Sequence, residues 1–169
     1  TMPFITVWRT TSDDENITIP IDSNYTYNYT VNWGDGTITK NIKNSIIHTY
    51  SNAGSHTVKI SGEFPAIRMV SSNKTWDKTT QEESNAKKLQ KITQWGDIAW
   101  SSFQNAFTYC SKLDVNATDT PALSDVHSTR GMFYEAESLR GNIYFNNWDV
   151  SSVADMSRMF EGTKVFNQP

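Results

Sequence analysis

Histidine and cysteine are scarce in this chain, 3 and 1 among 169 residues. A structural zinc site needs about four such ligands at set spacings, and no such spacing occurs. The single Cys110 excludes an intrachain disulfide, so stability outside a cell would rest on packing and strand pairing. Basic excess is lacking as well. Lys+Arg number 15 against 18 Asp+Glu, a net charge of −3, which leaves no broad positive surface to neutralise phosphates and argues against nucleic-acid binding. No apolar run approaches the ~18 residues of a membrane span. The start Thr1-Met2-Pro3-Phe4 lacks the charged-then-apolar order of an export signal, so any signal or anchor is expected to lie outside this sequence. The P-loop, the Rossmann fingerprint and the Gly-x-Ser-x-Gly elbow are absent too. The expectation is a protein without enzymatic activity, cofactor or metal. What is present is aromatic: Phe, Trp and Tyr make up 12% of a chain that is 37% hydrophobic and 20% charged, a globular composition.

Residues 1–64 alternate with period two. In Tyr25-Thr26-Tyr27-Asn28-Tyr29-Thr30-Val31-Asn32-Trp33 each odd position is apolar or aromatic and each even one is Thr or Asn, which predicts a strand with one buried face. Ile17, Ile19 and Ile21, and then Val58 and Ile60, repeat the pattern, with Pro20 marking an edge or a strand end. Gly34-Asp35-Gly36 supplies a hairpin turn, and Asp35 reads as a turn residue before a metal ligand. The cluster Asp13-Asp14-Glu15 lacks the alternating spacing of a calcium loop. The residues Tyr29-Thr30-Val31-Asn32-Trp33-Gly34-Asp35-Gly36-Thr37, His48-Thr49-Tyr50 and Gly54-Ser55-His56-Thr57-Val58-Lys59-Ile60 together resemble a polycystic-kidney-disease (PKD) domain. That resemblance implies an immunoglobulin-like β-sandwich that serves extracellular proteins as a spacer or binding module and carries no catalytic residue.

Residues 87–169 repeat. With Phe107, Phe133 and Phe160 in register, Phe103, Thr129 and Met156 stand four positions earlier, and Ala106, Met132 and Met159 one earlier. Cys110, Ala136 and Thr163 stand three later, and Leu113, Leu139 and Phe166 six later. Offsets of −4, −1, 0 and +3 are the stripe of a two-turn amphipathic helix, and these columns are the expected repeat core. Cys110 then reads as a small packing residue rather than an activated thiol. A unit of this size cannot bury its own apolar face, so copies must stack, with a short strand at Trp148–Val153 and its equivalents. The last copy, Trp148-Asp149-Val150-Ser151-Ser152-Val153-Ala154-Asp155-Met156-Ser157-Arg158-Met159-Phe160-Glu161-Gly162-Thr163-Lys164-Val165-Phe166-Asn167-Gln168, closely resembles the repeat of BspA-like leucine-rich-repeat surface proteins and mycoplasma-type lipoproteins. That resemblance implies a surface-exposed or lipid-anchored bacterial protein engaged in adhesion.

The fold class expected from these readings is mainly β with short helices: an immunoglobulin/PKD-like β-sandwich at 1–64, a connector or inserted loop at 65–86, and a leucine-rich-repeat-like α/β solenoid at 87–169, cut inside the array. Pro65–Val70 reads as a strand or a rigid connector, and Ser71–Ala86 as an exposed loop or a short helix. Trp76 either pins that loop to the core or, if exposed, contacts a ligand. Asp149 and Ser151 are the other candidate contacts, as exposed positions alternating with buried Trp148 and Val150. The expected role is non-catalytic adhesion to an extracellular protein or glycan, with self-association through the exposed last repeat. The alternative is an accessory or spacer region of a secreted polysaccharide-degrading or proteolytic enzyme.

Overall fold

The computed structural model describes all of residues 1–169. Eight strands and one short helix run in the order β1 (Phe4–Thr10), β2 (Glu15–Ile19), β3 (Asn28–Asn32), β4 (Ile38–Ile42), β5 (Ile46–Tyr50), β6 (Gly54–Glu63), α1 (Thr80–Ala86), β7 (Leu89–Gln94) and β8 (Asp114–Val115), with a 3-10 turn at Ile143–Asn147. The protein is mainly β. Period-two burial holds where the sequence alternates: Tyr27, Tyr29, Val31 and Trp33 are buried, as are Ile17 and Ile19, while Tyr25 lies outside the strand and is exposed. Helix α1 starts with a capping box, Thr79 Oγ1 accepting from the Glu82 amide at 3.0 Å and Glu82 Oε1 accepting from the Thr79 amide at 2.9 Å.

Six strands form one mixed sheet in the order β4-β3-β6-β1-β7-β8, and β2 pairs with β5 in a second, two-stranded sheet. All neighbours in the larger sheet are antiparallel except β7 and β8. The strands of residues 1–64 divide between these two sheets but do not form a sandwich of their own, because the larger sheet continues into β7 and β8. β1 accepts β7 along its second edge, and a core of 35 buried residues runs unbroken from Phe4 to Met159.

Asp35, Trp33 just after β3, and the aromatic residues of β5 and β6 lock the β3–β4 hairpin. Trp33 stacks on His48 at 4.3 Å, His48 meets the edge of Tyr50 at 4.8 Å, and Tyr50 stacks on His56 at 3.6 Å. Asp35 accepts from the Thr37 amide at 3.0 Å with one oxygen and lies 2.7 Å from His48 Nε2 with the other. Partial desolvation pushes its carboxyl up, but the hydrogen bonds from Thr37 and His48 outweigh that and hold it at about 2. Desolvation pushes the His56 imidazole down.

Helices are missing where the repeat predicts them. In each copy the chain instead makes two consecutive four-residue turns, closed by bonds from Ala106 N to Phe103 O and Cys110 N to Phe107 O, Met132 N to Thr129 O and Ala136 N to Phe133 O, and Met159 N to Met156 O and Thr163 N to Phe160 O. The third residue of each turn has positive φ: Asn105 and Tyr109, Gly131 and Glu135, Arg158 and Gly162. This is the geometry of a type II turn. The first and fourth residues point inward, so two turns in succession bury offsets 0, 3, 4 and 7, the same stripe that a helix would. The predicted strand at Trp148–Val153 is also absent; a single parallel bridge joins Ser128 to Asp155.

Successive turn pairs stack through their backbones. The amides of Phe103, Asn105, Phe107 and Tyr109 donate to the carbonyls of Ser128, Arg130, Met132 and Tyr134 at 3.0, 2.9, 2.8 and 2.8 Å. Those of Thr129, Gly131, Phe133 and Glu135 donate in turn to Asp155, Ser157, Met159 and Glu161 at 2.9, 2.9, 2.8 and 2.8 Å. The rings of Phe107, Phe133 and Phe160 stack behind this ladder at 5.7 and 5.8 Å. Cys110 and Ala136 are fully buried in their column, and so are Leu113 and Leu139 in theirs, while Thr163 and Phe166 in the last copy are half-buried.

Two outcomes follow. Phe133→Ala, which removes the middle ring, should cost about 3–5 kcal/mol, read as a lower urea midpoint and as faster reaction of Cys110 with a thiol reagent, since the native thiol is inaccessible. An unchanged midpoint would refute the stacked core. His56 is held neutral in the fold, so its contribution is complete above the unfolded pKa of about 6.5 and lost as pH falls below it; that of Asp35 is complete above about 4 and lost toward about 2. The urea midpoint should drop between pH 7 and 5 and drop less in His56→Gln; parallel profiles would assign the loss to other groups.

Candidate functional site

The one large aromatic side chain held out to solvent beside cations sits on a strap, Ser71–Thr79, that crosses the outer side of the stacked turns. Its base is the buried run Phe64–Val70. Met69 N donates to Asn105 O at 2.9 Å and Ser101 N to Pro65 O at 2.7 Å, so this run covers the free side of the first turn pair. Arg68, buried, anchors the strap: it donates to Asp22 Oδ2 at 3.2 Å, Val70 O at 2.9 Å, Ser71 O at 3.1 Å and Ser72 O at 3.0 Å. All three guanidinium nitrogens donate, as a buried cation requires.

Asn105 holds the strap from the other side. Its amide nitrogen donates to Val70 O at 3.1 Å and Ser72 O at 2.9 Å, and its oxygen accepts from Thr75 Oγ1 at 2.9 Å. Thr75 is buried over Gly131, where a Cβ would stand 2.6 Å from Thr75 Cγ2 and 2.9 Å from Asn105 Oδ1. Glycine at 131 therefore serves both the left-handed turn and the close approach of the strap.

The next residue is Trp76, 45% exposed. The guanidinium of Arg158 lies 4.8 Å from its ring centroid and is paired with Glu161 at 2.9 Å. Tyr109 donates its hydroxyl to Trp76 O at 3.3 Å, stands edge-on to Tyr134 at 5.6 Å, and carries Lys78 Nζ 4.7 Å above its ring. Desolvation raises the Tyr109 hydroxyl to about 12, so it stays a neutral donor. Two aromatic rings and two cations thus share one face on a fixed backbone, an arrangement suited to stacking, cation–π contact and hydrogen bonding.

Of the expected contact residues, Trp76 has an exposed ring while the strap around it is pinned by Arg68, Thr75 and Asn105. Asp149 and Ser151 are exposed but occupied with each other: Asp149 Oδ1 accepts from the Ser151 amide at 3.1 Å and hydroxyl at 2.7 Å, and these bonds lower its carboxyl pKa. They do not alternate with buried neighbours, because Val150 is exposed and Trp148 half-buried. No hydrogen bond, ion pair or ring contact joins them to Trp76. Arg158, Lys78 and Tyr109 are site residues that the sequence reading misses. Asp13 and Glu15 act as turn acceptors, from Ala53 N at 2.9 Å and Thr11 N at 3.2 Å. Burial raises the Cys110 thiol well above its ordinary value, which removes its nucleophilic form.

Residues 101–169 match the family described as Mycoplasma protein of unknown function, DUF285, which is related to BspA-like repeats. No curated protein and no solved structure matches the chain, and none of these comparisons evidences a PKD domain.

Arg68→Ala leaves Asp22 buried and unpaired, a change that costs about 3–5 kcal/mol. The urea midpoint should fall, and trypsin should cut faster after Lys74 in the loosened strap. Native-like resistance at Lys74 would show that the strap does not depend on this cation.

Proposed function

We propose that this chain is a non-catalytic binding module of a bacterial cell-surface protein that recognises an extracellular protein or glycan through the face built around Trp76. The observation that carries this reading is an exposed tryptophan on a rigid base, flanked by Arg158, Lys78 and Tyr109. Leaving nearly half of so large an apolar ring in water costs solvation free energy, and Trp, Tyr and Arg are the residues over-represented where binding energy concentrates. Immobilised rings contact a ligand at little further entropic cost.

The same proposal takes residues 87–169 as turns of a solenoid and residues 1–64 as a PKD-like region grafted onto its first turn. The register of the backbone ladder, which bonds residues 25 apart across the first junction and 26 apart across the second, supports the solenoid. The Trp33–His48–Tyr50–His56 stack, made by the residues of the PKD-like motif, supports the second reading. The family match and the resemblance to BspA-like surface repeats support an extracellular or cell-surface location. Self-association belongs to the proposal as well. The last copy leaves an apolar cavity of about 520 Å³ open between Phe145, Trp148, Met156, Met159, Phe160 and Phe166.

The test is an array of glycans and extracellular-matrix proteins probed with the protein and with Trp76→Ala. A ligand bound by the wild type should lose at least about tenfold in affinity with the variant, as loss of an aromatic contact of about 1.4 kcal/mol or more requires. Equal binding by the variant would move the site elsewhere, and a blank array with both proteins would count against adhesion and leave a spacer.

A further inference from the structure

An open groove of about 820 Å³ lies where α1 and the residues after it pass the ends of β1 and β7. None of its 11 lining residues is hydrophobic. Five are cations, Arg9, Lys78, Lys87, Lys88 and Lys112, and two are acids, Glu15 and Glu83. The groove therefore carries +3 on a chain of −3, so the rest of the molecule holds a net −6. Such segregation of charge raises the local concentration of anions, and the walls of a cleft focus the field.

The cations are partly pre-arranged. Glu83 is shared by Lys78 at 3.4 Å and Lys87 at 3.3 Å, so one carboxylate fixes two ammonium groups and leaves their charge in excess. Lys88 is held by Asn16 O at 2.7 Å and by Glu15 at 3.6 Å. Arg9 and Lys112 face the groove without a carboxylate in ion-pair range. Between the cations stand Thr11, Ser84 and Gln90, neutral groups that donate and accept hydrogen bonds.

We propose that this groove binds an oligosaccharide bearing sulfate or phosphate esters. Several cations at separate points of one open cavity fit a ligand with several separate anionic groups, and the guanidinium of Arg9 matches the geometry of an ester oxyanion. The hydroxyl and amide groups fit sugar hydroxyls. The absence of any ring or apolar wall among the lining residues removes the stacking platform that single-stranded nucleic acid uses and the surface that an apolar peptide would need. The groove is separate from the Trp76 face apart from Lys78, and the proposal does not rest on that reading.

The test measures binding by calorimetry of a sulfated heparin hexasaccharide, a phosphate-bearing oligomannose, neutral dextran and a single-stranded oligonucleotide, at 50 and 200 mM NaCl. At least one of the two esterified oligosaccharides should bind, and which one distinguishes a sulfated from a phosphorylated source. Its affinity should fall roughly tenfold or more between the two salt concentrations, as release of two or three counterions requires. Arg9→Glu/Lys112→Glu should weaken binding at least tenfold with an unchanged urea midpoint, since both side chains are exposed and unpaired, and Trp76→Ala should bind as the wild type does. No binding of either ester, equal binding by the double variant, or tighter binding of the oligonucleotide would overturn the proposal.

Discussion

The backbone ladder between successive turn pairs sets the geometry of the second half of this protein. Each of the first two copies donates four amides on alternate residues to four carbonyls of the next, at 2.8 to 3.0 Å. In the middle copy the acceptors Ser128, Arg130, Met132 and Tyr134 and the donors Thr129, Gly131, Phe133 and Glu135 share four peptide groups, so every second peptide turns its carbonyl to the copy before and its amide to the copy after, while the left-handed third residue of each turn swings the next peptide aside to close the turn. Without it the carbonyls and amides would close on themselves, as they do in a helix, and no copy could bond to its neighbour. The same bonds fix the spacing of the Phe107, Phe133 and Phe160 rings, which pack because their backbones are already held in register.

The apolar columns are legible in the sequence because burial selects residue type whatever the backbone does. The helix read from them is not what forms, for a geometric reason: two four-residue turns bury offsets 0, 3, 4 and 7, which periodicity cannot tell from a helix. A discriminating signal exists in Gly131 and Gly162, which would fall inside the supposed helices, where glycine costs about 1 kcal/mol relative to alanine. In the first copy the same positions carry Asn105 and Tyr109, so the signal fades where the turns begin. Trp76 is legible as a candidate because it is the only large apolar residue of its segment. Its partner Arg158 is not, because 82 residues of chain separate two groups that meet only once three turns have stacked.

The pairing of β1 with β7 has no local signature either, and it decides how the two halves are related. β1 is bonded on one side to β6 and on the other to β7, so the sheet passes without a break from the region resembling a PKD domain into the start of the repeats. Phe4, on β1, packs against Trp95 at 5.9 Å and Trp100 at 5.0 Å, which belong to the repeat side. The Phe64–Val70 run completes the join by covering the first turn pair. A backbone end that would otherwise leave buried groups without partners is thus satisfied by the chain that precedes it.

The far end of the stack is different, and its polarity limits what can sit there. The amides of Met156, Arg158, Phe160 and Gly162 occupy the positions that donate across the two earlier junctions, and none of them bonds to an acceptor within the protein. The alternate carbonyls, of Ser157, Met159 and Glu161, are already taken by the preceding copy. The row of backbone groups that continues the ladder therefore holds donors only. Two such ends brought face to face would set donor against donor, so self-association here can draw on Phe160, Met156 and the apolar cavity but not on the backbone. Backbone polarity thus tells the two ends of the stack apart: one is covered by the Phe64–Val70 run, and the other presents a row of unpaired amides.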